Sequence, residues 1–312
     1  MSSNKVRYAV LSHIIIDDIV HPDGQTDPGH LGGAGSYAAI GAALAASPGE
    51  VGIVAKVGAA ERDGLSHEFM DRGISTEALR GIPGPTPRST LRYFHDGERV
   101  EVPHHGEDHF DALTPLPADI PASWTGLEGI YLFHDTDPDY WHAISAYRAA
   151  NEVTILWEIS AAACTPEHWD AVSNILQTVD AFSINRTEAL TLCGTDSLVV
   201  AVEKLRRTGV TVFLRLGEQG SVAIRGAESW AVAPARGSVV DPTGGGNSYS
   251  GAALVGFIQS DGHPAAASRA AAAAASQIIG QFGVPPVGPK ERRRLAEQVA
   301  GTHMKDPALL LL

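Results

Sequence analysis

From residue 128 onward the chain alternates short apolar runs with longer helical stretches. The runs at 129–133, 153–158, 180–184 and 210–216 predict strands. The stretches at 138–150, 166–178, 186–193 and 197–208 predict helices. Strands that recur with a helix between them are joined by crossovers, so they line up in a mostly parallel sheet with helices on both faces. The N-terminal part extends the pattern with a strand at 6–16, a small-residue helix at 34–46, a strand at 51–57 and a helix at 61–72. Beyond 216, a hairpin fits 220–233, a glycine-rich loop follows at 241–247, and helices fill 247–260 and 263–281. Ala265 to Ala275 reads as a close-packing helix, because alanine is the strongest helix former. The expectation is one α/β domain over 1–312.

Two segments stand apart. Residues 88–94 and 98–103 flank Asp96-Gly97, and Asp-Gly between extended runs signals a hairpin. Residues 21–33 are rich in glycine and proline and read as a loop. Together 17–32 and 86–104 are expected to form a small β lid. The hairpin is amphipathic, and a small lid offers its apolar face no partner, so a homodimer through the lid is expected.

Composition excludes several function classes. Asp and Glu number 36 against 23 Lys and Arg, a net charge of −13, which repels a phosphate backbone and argues against nucleic acid. The basic run Lys290 to Arg294 reads as a solvated helix face. The two cysteines, Cys164 and Cys193, have no paired spacing, so a reducing compartment is expected. The first apolar run is short and stops at Asp17-Asp18, and no run is long enough to span a bilayer. These readings favour a cytoplasmic protein with no membrane partner.

The segment that carries chemistry is Val239-Val240-Asp241-Pro242-Thr243-Gly244-Gly245-Gly246-Asn247, followed by an apolar helix. Successive backbone N–H groups in such a turn converge, and the helix dipole adds positive potential, so an anion is favoured there. Gly-Lys-Ser/Thr does not follow, so this is not a Walker A loop.

That segment resembles the second signature of the ribokinase-like, PfkB-type carbohydrate kinases. Other family motifs follow in order. Gly32-Gly33 opening a helix resembles the first signature. Asp17 resembles the hydroxyl-binding aspartate at the end of the first strand. Asn185 to Glu188 resembles the Asn-x-x-Glu motif, and Leu216 to Gly220 resembles the turn that borders the nucleotide. The resemblance implies a ribokinase-like three-layer α/β/α core with a small β lid. It also implies ATP and Mg2+ as cofactors and a small hydroxyl-bearing substrate. Thr243, Asn185, Arg215, Gly217 and Gly220 would face the nucleotide, Glu188 would serve the metal, and Asp17, Gly32, Gly33 and Tyr37 the substrate. Gly244, Gly245, Gly246 and Asn247 would form the catalytic loop.

Several positions depart from the family pattern. Arg215 stands where a smaller hydroxyl residue often precedes the Leu-Gly turn, and either contacts phosphate or forms a salt bridge; Ala34 stands where lysine is frequent. Asn247 stands where the general base, an aspartate, is expected, and an amide cannot accept the hydroxyl proton. Three readings follow: a weakened, ligand-binding pseudokinase, a kinase in which another group or the phosphate itself takes the proton, or an engineered substitution at Asn247. Tyr37 replaces the asparagine that holds substrate hydroxyls, which points either to an aromatic substrate or to packing on the lid. His104, His105 and His109 read as a solvated loop. His134-Asp135 and Glu158 fall at strand C-terminal ends, where open parallel sheets place ligands.

Overall fold

The computed structural model describes residues 5–95 and 99–311, so the Asp96-Gly97 turn lies outside the described residues. The N-terminal elements are β1 (Tyr8–Leu11), β2 (Ile15–Val20), β3 (Thr26–Gly32), α1 (Gly33–Ala45), β4 (Val51–Gly58) and α2 (Arg62–Met70). Next come β5 (Ile74–Ser75), β6 (Leu79–Ile82), β7 (Arg88–Tyr93), β8 (Arg99–Pro103) and α3 (Glu107–Ala112). The alternating part holds β9 (Gly129–His134), α4 (Pro138–Ala150), β10 (Thr154–Ile159), α5 (Trp169–Ile175), β11 (Ala181–Asn185), α6 (Arg186–Cys193), α7 (Leu198–Arg206) and β12 (Thr211–Arg215). The C-terminal part holds β13 (Ser221–Arg225), β14 (Glu228–Val232), α8 (Gly245–Gln259), α9 (Pro264–Ile278), α10 (Pro289–Gly301), β15 (Met304–Lys305) and α11 (Ala308–Leu311).

The main sheet runs β15-β14-β13-β12-β11-β10-β9-β1-β4-β5, with β6 also paired to β4. The strands from β12 to β5 are parallel, and β13 to β15 add antiparallel neighbours. Side chains alternate between the faces with period two. Tyr8, Val10, Tyr131, Leu156 and Phe213 pack under α1, α8 and α9. Ala9, Leu11, Leu132, Trp157 and Val212 pack under α4 to α7. The same alternation turns Glu158 and Arg215 toward α8, since they follow Leu156 and Phe213 by two.

Helices α1 and α8 lie backbone to backbone. A methyl group on Gly41 would enter the Ser248 backbone, and one on Gly251 would enter the Ala38 backbone. Small residues here let the two helices meet, and their first turns both reach one cavity at the sheet's C-terminal edge.

The expected strand at 6–16 is broken. After Leu11 the chain leaves the main sheet at Ser12-His13-Ile14 and starts β2 in a second sheet, ordered β3-β2-β7-β8. The break is stabilised by α1: Gly35 N–H donates to the His13 carbonyl at 2.9 Å, a bond that a continuous strand would have made within the sheet. Asp17 therefore sits in the middle of β2 rather than at the end of the first strand. The segment expected as a loop at 21–33 contains β3, which pairs antiparallel with β2 around an irregularity between Asp17 and Ile19. β7 and β8 pair antiparallel.

The basic run is not all solvated. It lies on α10, where Arg292 is partly buried and donates to the carbonyls of Ala43, Ala46 and Val287, satisfying the open C-terminal end of α1. Both cysteines are free. Among the described residues no helix is long and apolar enough to cross a membrane.

Candidate active site

The glycine loop forms from a local hydrogen-bond logic. Asp241 Oδ1 accepts from Thr243 N–H at 2.9 Å and from Thr243 Oγ1 at 2.6 Å, which folds the chain back on itself. Gly244 then takes the left-handed conformation, φ +71°. Its N–H groups lead into α8, whose N-terminus has no side-chain cap. Gly245 N–H turns back to the Pro242 carbonyl, and the N–H groups of Gly246 and Asn247 have no partner among the described residues at the helix mouth. Unbonded N–H groups and the helix dipole together favour an anion at this point.

Tyr37 belongs to this loop. Its ring lies across Gly244, where a methyl group would enter the ring, and it also lines the cavity. Tyr37 therefore packs on the glycine turn, and it shares a buried cluster with Ile16 and Leu31 of the small sheet. A phenol fits because Gly244 has no side chain.

A cavity of about 240 Å³ opens in front of the loop, with Asp17, Tyr37, Thr243, Gly244 and Asn247 in its walls. Asp17 is 5 % exposed and its carboxylate lies against the backbone of Gly32, which has room for it only because Gly32 lacks a Cβ. Gly33, at φ +83°, passes directly by the backbone of Ile15 and His13. The small sheet contributes Leu91 and Glu101 to the same walls. It is also bonded to the loop: the Tyr93 hydroxyl of β7 donates to Asp241 Oδ2 at 3.0 Å and lies 2.9 Å from Thr243 Oγ1.

Of the residues expected to face a nucleotide, Arg215 sits beside the glycine loop. Its guanidinium presses on Gly246, where a Cβ would strike Nη1. It bonds Glu158 at 2.5 Å and Glu188 at 3.4 Å, and its side chain is 12 % exposed. Burial opposes the Arg215 charge, but the two carboxylates outweigh it and hold its pKa above the usual value. Arg215 Nε has no hydrogen-bond partner among the described residues. Burial raises the Glu188 pKa despite Arg215 beside it.

Asn185 and Glu188 have a local role that explains their spacing. Asn185 Oδ1 accepts from Glu188 N–H at 2.9 Å, and Glu188 Oε2 accepts from Asn185 N–H at 2.8 Å, a reciprocal cap on α6. Gly217 (φ +57°) and Gly220 (φ +104°) hold the turn after β12. Among the described residues no group of three or more His, Cys, Asp or Glu is placed to hold a metal ion. His104 bonds Thr90, while His109, expected in a solvated loop, lies partly buried on α3 and bonds the Pro85 carbonyl. His134 stacks on Tyr140 at 3.6 Å and pairs with Asp135 outside these walls.

Sequence reasoning missed three residues. His13 lines the cavity, stacks on Phe110 at 3.8 Å, and is driven by burial to a pKa of about 4. Tyr131 lies under Asn247, and Tyr93 ties the small sheet to the loop. Each sits in an apolar run whose alternation says which residues share a face, and nothing local says that a face meets the glycine loop.

Comparison with known proteins agrees with this architecture. An uncharacterised protein of Schizosaccharomyces pombe is 28% identical over 91% of this chain and 87% of its own length. A cytidine kinase of Thermococcus kodakarensis is 26% identical over 80% of this chain and 87% of its own. The crystal structure of adenosine kinase from Sinorhizobium meliloti superposes with a TM-score of 0.76 at 22% identity, covering 94% of this chain and 99% of that one. The model of the pfkB family of carbohydrate kinases matches residues 9–289, and the chain belongs to that family.

Proposed function

We propose that the chain is an ATP-dependent phosphotransferase that moves the γ-phosphoryl group to a hydroxyl of a sugar-like or nucleoside substrate. The observation that carries this reading is the uncapped N-terminus of α8, aimed into a cavity that also presents the Asp17 carboxylate. The N–H groups of Gly246 and Asn247 would hold phosphoryl oxygens, and the Arg215 guanidinium against Gly246 adds positive charge beside them. Asp17 would accept from substrate hydroxyls. The rings of Tyr37, Phe110 and Phe133 in the cavity wall suit a base or the apolar face of a sugar ring. The small sheet would act as a lid, held to the loop by Tyr93.

The donor set fits a magnesium ion that arrives with the nucleotide, since that ion keeps most of its water and needs few protein ligands. Such an ion would neutralise phosphate charge, and Glu188 would orient its water. In the transfer, the substrate oxygen forms its bond to the γ-phosphorus as the bond to the ADP oxygen breaks. Asn247 cannot take the hydroxyl proton. The proton passes instead to an oxygen of the transferred phosphoryl group.

Asn247 also favours a second reading, a ligand-binding protein that retains the nucleotide site and turns over slowly or not at all. Calorimetry with ATP and ADP at millimolar magnesium, followed by ADP release across pentoses, hexoses and nucleosides, separates the two. Nucleotide binding with transfer supports the first reading, and binding without transfer to any of them supports the second. No nucleotide binding overturns both.

A further inference from the structure

An asparagine amide can face a cavity with its oxygen, an acceptor, or with its nitrogen, a donor. The two ends recognise opposite partners, and the hydrogen-bond network around the amide decides which end faces the cavity. At Asn247 three buried residues supply that network. The Tyr131 hydroxyl donates to Glu158 Oε2 at 2.7 Å. Arg215 Nη1 donates to Glu158 Oε1 at 2.5 Å, so both carboxylate oxygens face donors and the carboxylate cannot serve Tyr131 as anything but an acceptor. A phenol has one proton, and here it is committed. Tyr131 Oη therefore offers only lone pairs to Asn247, whose Nδ2 lies 3.5 Å away. An oxygen at that place would face lone pairs with no proton between. The nitrogen must take it, and the oxygen is left toward the cavity that Asn247 lines.

The β-strand register explains how the network forms. Tyr131 lies beside Leu156 across the β9–β10 pair, and Glu158 stands two residues further along the same face. Arg215 projects from the same side of β12 and reaches Glu158 over β11, where the small Ser183 leaves room. Burial and the neighbouring carboxylate both keep the phenol protonated.

We infer that Tyr131, anchored by Glu158 and Arg215, is a positioning residue that turns Asn247 Oδ1 into the cavity, so that the site selects a ligand group that donates a hydrogen bond. The identity of that donor as the phosphoryl-accepting hydroxyl rests on the phosphotransferase reading. The orientation of the amide does not. Asn247 then holds the hydroxyl by its proton without removing it. Glu158→Gln reverses the arrangement, because a glutamine can donate to Tyr131 Oη and free the phenol proton for Asn247 Oδ1. The amide then turns over.

The test is nuclear magnetic resonance on the full chain with 15N-labelled asparagine. The Asn247 side-chain signal is identified by its absence in Asn247→Asp. The wild-type NH2 should show an Overhauser contact to the Tyr131 ring protons beside the hydroxyl. Its exchange with water should run roughly two- to tenfold slower than in Tyr131→Phe, the range a single hydrogen bond provides. Glu158→Gln should weaken the contact and speed exchange to the Tyr131→Phe level with the fold intact by circular dichroism. Exchange unchanged in Tyr131→Phe, or no contact in the wild type, overturns the inference. If Glu158→Gln does not fold, Tyr131→Phe decides alone. Failure of the phosphotransferase reading shows separately, as absent nucleotide binding, and leaves these signals unchanged.

Discussion

Gly244→Ala should damage both stability and anion binding, and the size follows from two separate strains. Gly244 sits at φ +71° and ψ −1°, the left-handed region, where an alanine costs about 1–2 kcal/mol. The new Cβ would also enter the Tyr37 ring. That ring is 5 % exposed and is held on α1, which is itself pressed against α8, so it has little room to swing. Overpacking of this kind costs about 1–3 kcal/mol. The sum is about 2–5 kcal/mol, shared between lost stability and a loop shifted away from its anion-binding shape. Urea denaturation followed by circular dichroism reads the first part, and calorimetric titration with magnesium-ADP reads the second. Gly64→Ala is the control: it lies within α2 with nothing near its Cβ, and should be neutral or stabilising by about 0.5–1 kcal/mol. Adding Tyr37→Ala to Gly244→Ala removes the ring strain but not the backbone strain. The double variant should therefore be more stable than the two single losses summed. A Gly244→Ala protein as stable as wild type, with the same ADP affinity, would refute the reasoning from loop geometry.

Tyr93→Phe removes the small sheet's hydrogen bond to Asp241 and should lower stability by about 1.5–3 kcal/mol, the range for bonds to charged groups; a change within error in urea melts would show the bond contributes nothing. His13 carries a pH signature. Burial lowers its folded pKa from 6.5 to about 4, so as pH falls below 6.5 the unfolded chain takes up the proton first. The native state should lose up to about 3 kcal/mol between pH 6.5 and pH 4 through this group. His13→Gln should flatten the dependence of the urea midpoint over that window, and equal slopes in both proteins would count against it. Val100 and Val102 on β8, an edge strand, are about half exposed, as a dimer contact through the small sheet requires. Light scattering should show a dimer that Val102→Asp converts to monomer, and a wild-type monomer at all concentrations removes this expectation.

The alternating strands and helices were legible in the sequence because their signal is local. A run such as 129–133 is apolar enough to be read as a strand, and three glycines followed by an apolar helix read as a turn that favours an anion through backbone geometry. The pfkB family model matches residues 9–289, a span that contains these local motifs. Local signals failed at 6–16, where one apolar run serves two sheets. The carbonyl of His13 is satisfied by Gly35 of α1, a partner that exists only once α1 has packed.

The surroundings of the glycine loop were decided by tertiary structure. Tyr37 reads as a substrate or lid residue in the sequence; that its ring also flanks Gly244 follows from α1 and α8 meeting through Gly41 and Gly251. Asn247 reads as a missing base. What its amide can do depends on Tyr131, Glu158 and Arg215, which come from three separate strands. The chain determines which residues lie on one face of each strand, since alternation is a property of neighbours. Which faces then stack beneath one helix end depends on strand order and register, and these are set by contacts between residues far apart in the chain.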